Sequence, residues 1–356
     1  RPFPGLYAMK EYRPYIGRRT GSPPAVHIQI NTSKKMPMTW KKSELLFGQV
    51  NYWDFFKSEN GYWLVYQDRY NRSSLFLKKG GTIHVKYQGI DLTYKHRTSP
   101  YPTPGVDISV GEKYELPDVE KVDKVAFFSP DMKKVKLWMK ELPFEISHDD
   151  YYADPLERPL LDFILQVNLP VISDGYLFHA SAVDDEGRGY LFPGHSGSGK
   201  STIVNLWDGK GRIIQEDTVG VKGHRGGARV FSIPEVGARG DKGPSVYLKG
   251  IFGLKHARYN RISRLSPLEA TGILFYNAMK PVWDAWLCEQ YVEYCLWLAS
   301  HVPCFLLEFA PEKSVCLLIR KAIDKTGKEK PAPVSPFIGK MKSKLKDFRG
   351  IPGVKL

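Results

Sequence analysis

The sequence has little cysteine, no Cys-x-x-Cys pair and no long apolar run. Four cysteines occur in 356 residues, Cys288, Cys295, Cys304 and Cys316, and no clustered histidines accompany them. This argues against a zinc framework or a disulfide scaffold and fits reduced core thiols of a cytoplasmic protein. No stretch of about 18 apolar residues is present, so no membrane-spanning helix is expected. The sequence opens at Arg1 rather than Met, which leaves room for a targeting segment removed upstream. Acidic residues are also the minority, 38 against 52 Lys and Arg, for a net charge of +14. Apolar residues at 42% and charged residues at 25% are ordinary for a folded protein. The length allows about two domains of roughly 100–200 residues.

The positive charge is uneven. Residues 321–356 hold ten Lys and Arg against three Asp and Glu, half of the net charge. Such a tail can hold an acidic partner, a nucleic acid or a membrane surface, or it can serve solubility alone. No recognised nucleic-acid-binding motif accompanies it, so no nucleic-acid partner is expected.

Four regions are expected along the chain. Residues 1–45, rich in Pro, Gly, Lys and Arg, read as an irregular or extended lead-in. Residues 46–150 read as a small, mostly β module. Tyr62–Tyr66 and Thr82–Tyr87 alternate in hydrophobicity there, and Lys124–Phe128 and Lys134–Met139 add candidate strands. Residues 151–320 carry the chemistry, and residues 321–356 form a basic, flexible tail. In the third region Leu156–Leu169 has helical spacing, with Pro170 as its stop. Tyr176–Val183 and Gly189–Phe192 then form a hairpin about a turn at Asp184–Gly189. Ser201–Trp207 reads as a helix and Arg212–Ile214 as a strand. Thr218–Lys222 and Ala228–Ser232 form a second hairpin, and Ser245–Leu254 a strand. Pro267–Met279 and Val282–His301 read as helices. In the second, Trp286, Cys288, Tyr291, Cys295 and Leu298 make a core stripe. Cys304–Phe309 reads as a strand, and Glu312–Ile319 as a closing helix or strand.

The strongest chemical signal is Gly194-His195-Ser196-Gly197-Ser198-Gly199-Lys200-Ser201-Thr202, a Gly-x-x-x-x-Gly-Lys-Ser loop. Its glycines let backbone N–H groups converge on phosphate oxygens. The helix that follows turns its positive end to the same anion. Lys200 reaches the β- and γ-phosphates, and the Ser201 hydroxyl binds Mg²⁺. A strand before the loop and a helix after it are the required setting.

Such sites also need a carboxylate at a nearby strand end. Glu216-Asp217 follows the strand Arg212–Ile214. One acid would hold Mg²⁺ and the other would accept a proton. Neighbouring side chains on a strand point to opposite faces, so both serve one site only if the chain bends there. His179 lies on the strand leading into the loop.

These residues together resemble the HPr kinase/phosphoenolpyruvate carboxykinase superfamily, in its HPr-kinase-like branch. The matching strings are Leu177-Phe178-His179-Ala180-Ser181-Ala182-Val183, Gly189-Tyr190-Leu191-Phe192-Pro193 into the loop, and Arg212-Ile213-Ile214-Gln215-Glu216-Asp217. His301-Val302-Pro303 with Phe305-Leu306-Leu307-Glu308-Phe309 is similar to the family's closing strand. The match covers about residues 160–320. It implies a mixed α/β fold, a P-loop core with β-hairpins around the nucleotide site, beside the smaller β module. It implies a kinase using ATP and Mg²⁺, with a peptide or protein hydroxyl as acceptor. It also implies that His179 assists the acid/base system. The usual acid pair is Asp-Asp, whereas this chain has Glu216 first; Glu216 is taken as base and Asp217 as metal ligand. Relatives oligomerise, so a homo-oligomer is implied. Ile233–Gly240 lacks the signature of authentic HPr kinases, and their dual kinase/phosphorylase behaviour is not expected. Arg239, Lys242 and Lys249 are candidates for clamping phosphate or substrate, or plain surface cations. The competing functions are a non-catalytic nucleotide-binding partner protein and a small-molecule kinase.

Overall fold

The computed structural model describes residues 26–33, 36–49, 53–67, 82–87, 90–95, 122–140, 160–207, 209–224, 227–234, 240 and 245–326. Arg239, Lys242 and residues 327–356 of the basic tail lie outside the described residues. The architecture is mixed α/β, in two compact units divided between Ile164 and Leu165.

The first unit holds strands β1 (His27–Ser33), β2 (Glu44–Gln49), β3 (Trp53–Ser58), β4 (Gly61–Gln67), β5 (Thr82–Tyr87), β6 (Ile90–Lys95), β7 (Val122–Phe128) and β8 (Lys134–Lys140). Six form one sheet in the order β1-β8-β7-β4-β3-β2, and β5 and β6 form a separate hairpin. The sheet is mixed because β1 runs parallel to β8 while the other pairs are antiparallel. Period-two alternation sends Phe56, Trp63, Val65 and Val125 to one face, where the fully buried Trp40 packs against them. Phe55 points the other way, its ring 4.6 Å from that of Phe163. Within the lead-in lie β1, a 3-10 turn at Thr39–Lys42 that carries the buried Trp40, and the start of β2.

Helix α1 (Leu160–Ser173) does not stop at Pro170 but runs through it. A proline has no N–H, so the carbonyl four residues back loses its helical partner. That carbonyl, on Gln166, accepts from the Tyr291 hydroxyl instead, at 3.5 Å.

The second unit contains β9 (Gly175–Asp185), β10 (Arg188–Pro193), α2 (Lys200–Leu206), β11 (Arg212–Gln215), β12 (Thr218–His224), β13 (Gly227–Ser232), β14 (Val246–His256), β15 (Arg261–Arg264), α3 (Pro267–Tyr276), α4 (Ala285–His301), β16 (Cys304–Phe309) and α5 (Ser314–Thr326). The turn between β9 and β10 is only Glu186-Gly187, both at positive φ, so Asp184 and Arg188 belong to the strands. β10 is hydrogen-bonded to β9 on one side and, in parallel, to β14 on the other. The strands β9-β12-β13-β14-β10 therefore close on one another. One face of this sheet buries Tyr176, Phe178, Val219, Val230 and Leu248 against Tyr291, Tyr294 and Leu298 of α4. The opposite face buries Val183, Tyr190 and Phe252 against Ile203 of α2 and Ile319 of α5. The core stripe of α4 is present in Tyr291, Cys295 and Leu298, while Trp286 and Cys288 are half-buried. All four cysteines are free thiols. Burial pushes the Cys295 and Cys304 thiols up to about 12. No described helix is long and apolar enough to cross a membrane.

Candidate functional site

β10 ends at Pro193, opposite Ala180 of β9, and the chain leaves the sheet beside His179, whose carbonyl accepts from Gly194 N at 3.2 Å. The Gly-rich loop occupies Gly194–Gly199, and α2 begins at Lys200. A Cβ on Gly194 would collide with Ser198 Oγ. Gly199 has φ 98°, and a Cβ there would stand 2.8 Å from Phe309 Cζ and 3.2 Å from His256 Cε1. Glycine is thus required at Gly199 by both conformation and space.

The Lys200 side chain folds back across the loop. Its Nζ donates to Gly194 O at 2.8 Å and His195 O at 3.1 Å, and lies 3.0 Å from His179 Nε2. Lys200 is 8% exposed, and burial lowers its ammonium pKa, opposed by the nearby charge of Asp217. His195, Ser196 and Gly197 are exposed, while Ser198 is buried with no partner for its hydroxyl among the described residues. Ser201 is exposed and Thr202 half-buried.

β11 ends at Gln215, after which Asp217 takes a left-handed conformation, φ 74°. Asp is among the few residues that tolerate this. The bend lets Asp217 meet the histidine: His179 Nε2 is 2.8 Å from Asp217 Oδ1, and Ala180 N donates to Asp217 O at 2.9 Å. The His179 side chain is 20% exposed and that of Asp217 49%, so the carboxylate is reachable. Glu216 is half-buried with Oε1 enclosed. The sequence reading joined His179 to Glu216; the structure joins it to Asp217, because the bend falls at the second acid.

Two residues of this site went unpredicted. His256 Nε2 donates to Gly197 O at 2.9 Å, and its ring stacks on Phe309 at 5.9 Å. They close β14 and β16 and stand opposite each other in a parallel pair, with β10 also parallel to β14. The available signal was that ligands gather at the C-terminal ends of parallel strands. The sequence hides it, because the apolar pattern of β14 runs out at Leu254 while the strand continues through Lys255 to His256. Lys249, by contrast, is exposed on β14 away from the loop, its Nζ 5.7 Å from the ring of Tyr247.

The residues present fit a nucleotide phosphate: a glycine cradle that a Cβ would fill, an enclosed Ser198 hydroxyl and a buried ammonium. No cluster of three or more His, Cys, Asp or Glu able to hold a metal occurs among the described residues.

No family model matches the chain, and no curated protein matches it. Among solved structures, the HPr(Ser) kinase/phosphatase from Coxiella burnetii is similar over 48% of this chain and 94% of that one. The identity is 13% and the TM-score 0.25. A TM-score of that size establishes neither fold nor activity.

Proposed function

We propose that this chain is an ATP- and Mg²⁺-dependent kinase that moves the γ-phosphate to a hydroxyl of a peptide or protein. One observation carries this reading. Lys200 Nζ, His179 Nε2 and Asp217 Oδ1 form a connected row, at 3.0 and 2.8 Å, beside a Gly-rich loop. The loop N–H groups and Lys200 bind the phosphates. Ser201 and Glu216 are the residues that would hold Mg²⁺. When bound, the metal neutralises charge on the phosphate oxygens. Asp217 accepts the proton of the acceptor hydroxyl, and His179 orients that carboxylate. Asp217 takes the base's role here because it, not Glu216, meets His179.

The test is transfer of label from γ-labelled ATP to a pool of serine- and threonine-containing peptides. Lys200→Ala should abolish transfer. Asp217→Asn should slow it by about 10²–10⁴-fold while nucleotide affinity is kept. Full activity in Lys200→Ala would overturn the proposal.

A further inference from the structure

On β12, Thr218 pairs with His179, Gly220 with Leu177 and Lys222 with Gly175, so Lys222 shares a face with the candidate site. The row continues across the sheet. Lys222 is opposite Arg229, and Arg229 is opposite Tyr247. Phe231, opposite Gly220, lies on the same face. The alternate residues Val219, Val221, Val230 and Val246 are buried in the core on the other side.

Cations cover the aromatic rings of this face. Lys222 Nζ lies 5.7 Å from the Phe231 ring, the Arg229 guanidinium 4.4 Å from the Tyr247 ring, and Lys249 Nζ 5.7 Å from that same ring. Arg229 donates from Nε to Ser245 Oγ and from one terminal nitrogen to Ser245 O, leaving its other terminal nitrogen to donate elsewhere. Among the described residues, none of the three cations has a carboxylate within ion-pair distance. Asp174 lies against Gly223, where the side chains of β12 alternate to the core side.

We propose that this face docks an acidic segment of the acceptor peptide, an inference that rests on the kinase reading above. Three clustered cations with no carboxylate partner among the described residues call for negative charge. The rings are already capped by cations, so they are poor stacking platforms for nucleic-acid bases, which favours a peptide. Spacing sets the motif. Asp217 and Lys222 are five residues apart, about 16 Å on a strand, and Thr218 and Gly220 between them are buried, so a peptide passing over them would place its acids about four or five residues from the accepting hydroxyl.

Labelled serine peptides carrying two glutamates four and five positions from the serine, and their glutamine counterparts, test this by fluorescence anisotropy with the full chain. Transfer from MgATP is followed in parallel. The glutamate peptide should bind about tenfold more tightly. Arg229→Glu, and separately Lys222→Glu, should remove that advantage while the affinity for MgATP stays. Equal binding of both peptides by the unaltered protein overturns the dock, whether or not phosphate is transferred. A glutamate preference that both charge reversals abolish, with no transfer to any peptide, supports the dock and overturns the kinase reading. Displacement of the glutamate peptide by poly-uridylate at lower concentration than by unlabelled peptide assigns the face to nucleic acid and overturns the peptide.

Discussion

Lys200 Nζ lies 3.0 Å from His179 Nε2, the same nitrogen that stands 2.8 Å from Asp217 Oδ1. One imidazole nitrogen either carries hydrogen and donates to the carboxylate or is bare and accepts from the ammonium. A phosphate that draws Lys200 away settles the contest in favour of Asp217. Adding MgADP should therefore raise the fraction of His179 protonated at Nε2, read from the ¹⁵N shifts of labelled imidazole. An unchanged tautomer balance with nucleotide bound would show that the two contacts are not coupled.

Gly199→Ala tests the wall behind the loop. The new methyl group would meet Phe309 and His256 at a backbone φ of 98°. Strain of about 1–3 kcal/mol is expected from the conformation alone. Nucleotide affinity should fall by at least about tenfold by titration calorimetry. Gly187→Ala, at φ 86° with nothing within 4 Å of the added Cβ, should carry similar strain and leave that affinity unchanged.

Asp185 is fully buried at the end of β9. It accepts from Arg320 Nε at 3.0 Å and its terminal nitrogen at 2.6 Å, from Arg188 at 2.9 Å, and from the Tyr190 hydroxyl at 3.1 Å. This carboxylate ties α5 to the hairpin that delivers the loop. Asp185→Asn keeps the shape but takes from Arg320 the carboxylate it pairs with, while Arg188 keeps Asp324 at 3.3 Å. A loss of about 3 kcal/mol in urea unfolding is expected. Wild-type stability in that variant would mean that Arg320 finds another partner.

Asp174 predicts a pH dependence. Burial raises its carboxyl from 3.8 to about 6. Between those values the folded chain holds a proton that the unfolded chain releases. Its contribution to stability therefore declines as pH rises through that window and stays lost above it. Asp174→Asn suits the site because the residue has φ 50°, which Asn also tolerates. The variant should melt about 2–4 °C higher than wild type at neutral pH and show no difference below pH 4. An equal gap at both pH values would remove the carboxyl as the cause.

Legibility in the sequence followed the range of the interaction. The loop at Gly194–Thr202 was readable because its spacing is local, and so were the strands beside it. The extension of α1 past Pro170 was not, because the hydrogen bond that the Gln166 carbonyl accepts is donated by Tyr291, 125 positions on. The pairing of His179 with Asp217 rather than Glu216 depended on one left-handed residue, which a string of letters does not encode. His256 and Phe309 arrive from separate strands and acquire meaning only once β14 and β16 are side by side.

The double pairing of β10 bears on how the molecule comes apart. A strand bonded along both sides offers no free edge to fray or to exchange with a neighbour. The amide hydrogens of Tyr190 and Leu191 should then exchange with solvent only through global opening of their unit. The loop's root would be among the last parts to let go on heating, so loss of nucleotide binding and loss of the fold would occur together rather than in succession.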